Sequence, residues 1–394
     1  MKSALNYLLT ARQCEIAELE RLARTSELVN SVGRLVHALQ RERGMSNIFL
    51  ASQGERFGAM RLEQIPQCDA LLEEAIAAFS ALADDAVQVR NGARLFNRVA
   101  IVLEGASGLA QLRGRVAERT IALHDAMAAY IRLIAGLLAV VFEAADSAGD
   151  PQISRALVAM FHFMQGKEFA GQERAHGAAV FARGRIDTPE QQHWRHLVEQ
   201  QHHCFDVFAE FAEHAIAHAE RMSHDHGAIV QIERMRRAGQ SIGREPMDES
   251  LVDAWYECCT TRLDAMRHVE DLLAHHLKAL CERKIGEARE SSLVPPSTGM
   301  EAPALIGPQL ERSVIDMANE HARRLQAVSD ELETVRSALN ERKLIERAKG
   351  VLMANRNITE DEAYRALRQM AMNQKRRIAD VAEAVLSIAG TLRA

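Results

Sequence analysis

Hydrophobic residues recur along most of this chain at the three- and four-residue intervals that are typical of amphipathic helices. Abundant Ala, Leu, Glu and Arg favour the same conformation, and aromatic residues make up only 5% of the chain. The pattern therefore predicts an all-α fold, with a large helical bundle over residues 1–285. Helices are expected at about residues 6–53, 57–82, 86–114, 116–147, 151–183, 188–222, 229–245 and 247–284.

Two arginines lie where this periodicity asks for an apolar residue. Arg43 continues a hydrophobic stripe that ends with Leu39, and Arg236 shares a stripe with Ile232. Arginine is rarely buried without a partner, because desolvating its charge is costly. Further along, Lys167 and Arg174 share one helix face. These cations are candidates for binding a charged partner inside the bundle.

Two interpretations of the arginines remain open. Arg43 and Arg236 could meet across a helix interface and hold a small planar anion between their guanidinium forks. Alternatively, each arginine pairs with a carboxylate such as that of Glu42, Glu173 or Glu233, which would make it part of a structural ion pair.

The helical pattern lapses between residues 286 and 308, where Pro, Gly and Ser predict a linker. After it, a narrow seam of mostly hydrophobic residues runs from Leu310 to Leu339 at heptad spacing. A lone helix with such a seam needs a partner. We therefore expect a coiled coil over residues 309–340 that joins two copies of the chain.

Residues 338–394 form a basic tail on an acidic protein. The tail has 11 Lys and Arg against 7 Asp and Glu, a net charge of +4, whereas the whole chain carries −6. Three short helices are predicted in it, and Thr359 with Glu362 forms a capping box at the start of the second. A compact basic unit of this kind suits a polyanion.

The tail resembles the ANTAR family of RNA-binding domains in its spaced elements AKGVLM, TEDEAYRALRQMAM and IADVA. The resemblance implies a dimerising three-helix domain that binds a leader RNA with paired hairpins and prevents formation of a terminator. Carried onto this chain, it implies the following RNA contacts: Arg342, Lys349, Tyr364, Arg368 and Arg377. Unstacked loop bases offer planes to Tyr and Arg, and phosphates to Lys and Arg. Two other interpretations are open: Tyr364 belongs partly to the core and Arg377 to a helix end, or the tail reads duplex DNA.

The large domain resembles the NIT family of nitrate- and nitrite-sensing domains, in the QRERG run before Ser46 and the ERMRR run upstream of Trp255. The resemblance implies that nitrate or nitrite is the signal ligand, with Arg43 and Arg236 as its contacts. Arg174, Arg237 and Lys167 are further candidates. The alternative keeps the RNA-binding tail and gives the sensor another small ligand or a protein partner.

Several other classes of protein are not indicated. The N-terminus lacks a secretory apolar core, and the most apolar run, residues 131–142, contains Arg132 and is about half the length of a bilayer span. We therefore expect a cytoplasmic protein without membrane attachment. The six cysteines show no CxxC spacing, and no nucleotide-binding or nucleophile motif occurs, so neither a cofactor nor an enzyme is predicted. A metal site near His214 and His218 is a minor alternative, since no repeated Glu-x-x-His pair accompanies them.

Overall fold

A computed structural model describes residues 4–84, 92–184, 186–223, 226–240, 250–293, 341, 344–345, 347–353, 360–374 and 376–391. The chain divides into two compact units, Met1–Ala327 and Val328–Ala394. All the regular elements in the described ranges are helices, so the predicted all-α fold class is confirmed.

The first unit contains ten described helices. They are α1 (Ala4–Ala51), α2 (Gly58–Asp84), α3 (Gly92–Ser107), α4 (Leu109–Ala117), α5 (Leu123–Ser147), α6 (Pro151–Arg183), α7 (Thr188–Phe211), α8 (His214–Ser223), α9 (His226–Gln240) and α10 (Ser250–Leu293).

Local signals in the sequence place both ends of α6. The Asp150 side chain accepts hydrogen bonds from the backbone amides of Gln152 and Ile153, and Pro151 occupies the first turn, where its missing amide costs nothing. At the other end, Gly184 adopts a left-handed conformation with φ 62°, which glycine reaches without strain. The helix that carries most of the candidate site is therefore bounded by its own sequence.

Three predicted helices are divided or start later than expected. Gly108 separates α3 from α4, and Ala212 in an extended conformation separates α7 from α8. Helix α5 begins at Leu123 because Arg119 turns the chain with φ 57° and donates to the Gln53 carbonyl at 2.5 Å. Long-range contacts of this kind leave little trace in local periodicity.

Helix α10 continues to Leu293, through residues 286–293, which were expected to belong to the linker. This part of the helix packs against the rest of the unit: Ala288 is buried, and Arg289 pairs with Glu20 of α1 at 2.6 Å. Tertiary packing thus extends the helix beyond its amphipathic pattern.

Helix α6 lies at the centre of the first unit and contacts α1, α5, α7, α9 and α10. Its first half is apolar and buried, as Leu157 and Phe163 illustrate. Its second half is also buried but polar, with Lys167, Glu168 and Glu173 in the interior. The fold therefore encloses charged side chains of α6 among neighbouring helices.

Helix α5 is long and apolar enough, by length and composition alone, to cross a membrane between Leu123 and Asp146. It contacts α1, α3 and α6, and its residues Ile134, Leu137 and Val141 are fully buried in the first unit. These contacts are those of a core helix.

The second unit contains α11 (Glu360–Gln374), α12 (Ile378–Thr391) and helical residues 347–353 before them. Its core consists of Ala348, Leu352, Ala363, Leu367, Ala371, Val381 and Ala382. The predicted coiled coil over residues 309–340 and its heptad seam lie outside the described residues.

Candidate functional site

Arg43 of α1 is buried, with 3% of its surface exposed. Its Nη1 donates to Glu168 of α6, and the same carboxylate accepts from Gln40 at 2.9 Å and from Gln172 at 2.8 Å. The Nη2 of Arg43 has no hydrogen-bond partner among the described residues. It lies 2.9 Å from where a side chain at Gly171 would begin, so glycine leaves room for the guanidinium.

Arg236 of α9 binds a different carboxylate. Its Nε and Nη2 donate to the two oxygens of Glu173 at 2.6 and 2.5 Å, and its Nη1 donates to Glu233 at 2.6 Å. Burial alone would raise the pKa of Glu173, but the hydrogen bonds and charge of Arg236 outweigh it and hold the pKa below its usual value. Arg236 and Glu173 thus form a bidentate buried ion pair.

Two tryptophans pack against each other, and one of them donates a hydrogen bond to this ion pair. Trp194 donates from Nε1 to Glu173 at 2.9 Å, and Trp255 donates to the carbonyl of Arg174 at 2.9 Å. Their rings meet edge to face, with centroids 5.4 Å apart. Gly177 of α6 lies directly under the Trp255 indole, which a side chain at that position would overlap.

The structure therefore gives Arg43 and Arg236 separate carboxylate partners on α6. Glu173 and Glu233 were among the partners considered from the sequence, whereas Glu168 was not. The sequence does contain a signal for Glu168, because this residue follows Lys167 in a polar run that continues a buried helix. Among the described residues, the two guanidiniums share no hydrogen-bond partner.

Arg174 of α6 lies at the contact between α1 and α6, next to Gly44 of α1. Its Nη1 donates to the Thr260 hydroxyl at 2.9 Å, and its guanidinium lies 4.7 Å from the centre of the Tyr256 ring. Its Nη2 lies 2.7 Å from where a side chain at Gly44 would begin. Only 8% of Arg174 is exposed, and within the described part of the chain it forms no ion pair with a carboxylate.

The two remaining candidates from the sequence differ in environment. Lys167 is fully buried and donates to Glu270 of α10 at 2.6 Å and to His37 of α1 at 3.0 Å. Burial lowers the pKa of Lys167, and the charge of Glu270 opposes that effect. Arg237, by contrast, is exposed on α9.

A further buried ionic cluster escaped the sequence analysis. Glu42 accepts two hydrogen bonds from Arg113, both at 2.8 Å, and one from Tyr130 at 2.7 Å. Arg113 also pairs with Asp69. Since these residues come from α1, α2, α4 and α5, the cluster links four helices, and Glu42 is not a partner of Arg43.

Metal ligation was the minor alternative. In the described ranges, no group of three or more His, Cys, Asp or Glu side chains is placed to hold a metal ion. Near the suspected position, Glu213 instead pairs with His276 at 2.9 Å.

In the second unit, Arg368 is exposed on α11, one turn after the half-buried Tyr364. Arg377 is exposed at the start of α12 and pairs with Glu341 at 2.7 Å. Lys349 is 8% exposed, so the described conformation does not offer it to a ligand in solution. Arg342 lies outside the described residues.

Comparison with known proteins identifies a family for each part of the chain. Residues 34–278 match the NIT family, described as nitrate and nitrite sensing, and residues 333–386 match the ANTAR domain. Neither match is to an enzyme family.

A relative and a solved structure each match nearly the whole chain, and another relative matches a fifth of it. The nitrate regulatory protein of Klebsiella oxytoca is 35% identical over 388 residues, which cover 98% of this chain and 95% of that protein. The transcriptional regulatory protein PdtaR of Mycobacterium tuberculosis is 36% identical over 77 residues, 20% of this chain and 38% of PdtaR. A solved structure of the NasR transcription antiterminator has a TM-score of 0.66 and 32% identity, covering 98% of this chain and 99% of that one. The chain therefore belongs to the NIT family of nitrate- and nitrite-sensing regulators, and it carries an ANTAR domain at its C-terminal end.

Proposed function

We propose that this protein is a nitrate- or nitrite-responsive transcription antiterminator. In this proposal the first unit binds the anion, and the ANTAR domain binds a two-hairpin leader RNA and prevents a terminator from forming. The observation that carries the proposal is the presence of buried guanidiniums in a NIT-family bundle that is joined to an ANTAR domain in one chain.

Arg43 and Arg236 are the proposed anion contacts. Nitrate and nitrite offer planar oxygens that match guanidinium forks. Arg43 has one buried nitrogen without a hydrogen-bond partner among the described residues. All three nitrogens of Arg236 are bound to carboxylates, so an anion at Arg236 must replace Glu173 or Glu233. Anion binding would thus rearrange ion pairs that hold helices together.

The proposed RNA surface includes Tyr364, Arg368 and Arg377, together with Arg342 and Lys349. Arg368 and Arg377 are exposed, which supports their assignment as RNA contacts. Lys349 must turn outward before it contacts RNA. Two copies of the chain, joined through the coiled coil and the ANTAR region, would present two such surfaces to the two hairpins. This function belongs in the cytoplasm, where nascent RNA and the anion meet.

The signal reaches the RNA only if the anion binds one packing of the chain more tightly than another. A hundredfold change in RNA affinity requires a coupling free energy of about 2.7 kcal/mol. Breaking a buried ion pair costs about 3–5 kcal/mol. An exchange of buried ion pairs on anion binding is therefore large enough to supply this coupling free energy.

Two measurements on the full chain test the proposal. Calorimetric titration with nitrate and with nitrite is expected to show saturable binding, with chloride as the control. Transcription in vitro through a leader that contains two hairpins and a terminator is expected to give more read-through when protein and anion are both present. A template with one hairpin removed, and duplex DNA at matched salt, are the controls for RNA specificity. If read-through is the same with and without the anion, the sensor role is contradicted. If the protein binds duplex DNA as tightly as it binds the leader RNA, the RNA-binding role is contradicted.

A further inference from the structure

We propose that the first turn of α2 is a second ligand site, where Arg61 and the backbone amides of the helix start bind a phosphoryl group. The site is separate from the candidate anion contacts on α1, α6 and α9, and the inference does not depend on the proposed function. It rests on the burial of Arg61, which belongs to no ion pair among the described residues.

Arg61 is a buried cation. Only 3% of it is exposed, and its Nε and Nη1 are buried without a hydrogen-bond partner among the described residues. Its guanidinium carbon lies 5.1 Å from the centre of the Phe49 ring of α1, a cation–π contact. Lysine and histidine can lose their charge when they are buried, whereas arginine keeps it. An anion at these nitrogens would offset the cost of desolvating that charge.

The start of α2 offers backbone donors. The amides of residues 58–60 precede the first hydrogen bond of the helix, in which the Arg61 amide donates to the Phe57 carbonyl at 2.9 Å. Phe57 has no side-chain oxygen that could cap these amides, and the first turn contains no acidic residue. The positive end of the helix dipole is therefore open to an anion, as it is at many phosphate sites.

The Phe49 ring shows that Arg61 and the helix start lie together. Helical side chains lean towards the first residue of their helix, so that of Arg61 covers the turn before it. Gly58 lies against the ring that the guanidinium contacts, since a side chain at Gly58 would begin 3.3 Å from Phe49 Cε2. Arg61 thus forms the buried side of the site, and Ala59 and Met60 are exposed on the side that faces solvent.

Arg119 brings a second cation to this turn. Its guanidinium donates to the Gln53 carbonyl at 2.5 Å. Its Nη1 and the Phe49 ring each lie 3.5 Å from where a side chain at Gly54 would begin. Arg119 is exposed, and in the described part of the chain it forms no ion pair. The guanidinium is therefore available to a ligand that enters from the solvent side.

The charges at this turn match a phosphoryl group. Two guanidiniums and the helix end, which is worth roughly half an elementary charge, give about +2.5, and a phosphate monoester carries about −1.5 to −2 at pH 7. A monovalent anion would leave one cation without a counter-charge. Two carboxylates of the same loops, those of Glu55 and Glu118, are exposed, and neither pairs with Arg61 or Arg119 in the described ranges. Water and salt screen such exposed charges.

Calorimetric titration of the full-length protein with inorganic phosphate and with adenosine monophosphate tests the inference, at an ionic strength held constant with potassium chloride. Saturable binding of at least one of them is expected. Binding of phosphate would show that the free ion is sufficient, and binding of the nucleotide alone would show that the site takes a phosphorylated metabolite. Arg61→Met should weaken binding by about tenfold or more, and Arg119→Gln by a smaller factor. Arg132→Met, at an exposed position on α5, is the control and should bind as the wild type does.

Urea unfolding provides a second measurement on the same proteins. Without phosphate, Arg61→Met should have a urea midpoint equal to or above that of the wild type, because the variant removes a buried charge that has no counter-charge. With the ligand, the midpoint should rise for the wild type and for Arg132→Met, since a ligand that binds the folded state stabilises it. The midpoint of Arg61→Met should stay where it is.

Three results would each overturn the inference. The wild type binds neither phosphate nor the nucleotide, or Arg61→Met binds as tightly as the wild type. In the third, Arg61→Met lowers the urea midpoint in the absence of phosphate, which would show that a carboxylate of the chain itself already neutralises Arg61. The nitrate titration is independent of all three, because Arg61→Met should bind nitrate as the wild type does. A failure of this inference and a failure of the proposed function are therefore distinguishable.

Discussion

Lys167 of α6 donates to the carboxylate of Glu270 of α10 at 2.6 Å, with 1% and 4% of the two side chains exposed. Two opposite charges are thus held in the interior, where each has lost its hydration and depends on the other. The same ammonium group contacts His37 of α1, so a single side chain links three helices.

Replacing Lys167 by Met should destabilise the first unit by about 3–5 kcal/mol, because Glu270 would be left buried without a cation. The double variant Lys167→Met with Glu270→Met should recover most of this loss, since neither charge is then stranded. Urea denaturation followed by circular dichroism measures both. Equal destabilisation in the single and double variants would mean that packing, and not charge, is responsible.

The stability of the first unit should fall as the pH decreases below about 6.5. Burial, followed by the charge of Lys167, lowers the pKa of His37 from 6.5 to about 2, so the folded state keeps this ring neutral. The unfolded chain takes up a proton below pH 6.5, and this uptake favours unfolding by up to about 1.4 kcal/mol per pH unit.

The variant His37→Gln isolates this contribution, because Gln still offers an oxygen to Lys167 and does not titrate. Urea denaturation at about pH 7.5, 6.5 and 5.5 should show that the free energy of unfolding declines less steeply for the variant than for the wild type. Parallel profiles would show that His37 takes up its proton without unfolding.

Substitution of Gly177 by Ala should destabilise the first unit by about 1–3 kcal/mol, because the added methyl group overlaps the Trp255 indole and both helices must shift. Gly286→Ala is the matched control in α10, where no atom lies within 4 Å of the new methyl group. That change should stabilise the helix by about 0.5–1 kcal/mol. Thermal unfolding distinguishes the two, and equal effects would contradict the close packing at Gly177.

Arg236→Met should cost about 3–5 kcal/mol of stability, since Glu173 would remain buried without its bidentate partner. The adjacent and exposed Arg237 provides the comparison: Arg237→Met should change the free energy of unfolding by no more than about 0.5 kcal/mol. If both variants are equally stable, the Glu173–Arg236 pair does not contribute to the fold.

RNA affinity should depend on the exposed arginines of the second unit. Arg368→Ala and Arg377→Ala should each weaken binding of a two-hairpin leader, and a lost phosphate contact should reduce the slope of log affinity against log salt by about 0.7. Filter binding at several salt concentrations measures both the RNA affinity and this slope. Arg132→Ala, outside the tail, should leave both affinity and slope unchanged.

The sequence predicts the helices and the buried arginines because both depend on short-range periodicity. Arg43 and Arg236 interrupt apolar stripes, and both are buried as charged groups with partners. Glu168 was missed as a partner because its approach to Arg43 depends on how α1 crosses α6, which periodicity does not encode. The extended turn at Ala212 contains neither Gly nor Pro, and so it gave no local signal.

Both tryptophans of the chain, Trp194 and Trp255, belong to the same buried cluster. One donates to Glu173 and the other to the backbone of Arg174, so each indole is hydrogen-bonded to a residue of the candidate anion sites. The tail contains no tryptophan. Intrinsic tryptophan emission of the intact, unlabelled protein therefore arises entirely from this buried cluster of the first unit. A spectral shift on adding anion or RNA would report, in real time, a change around these two indoles alone.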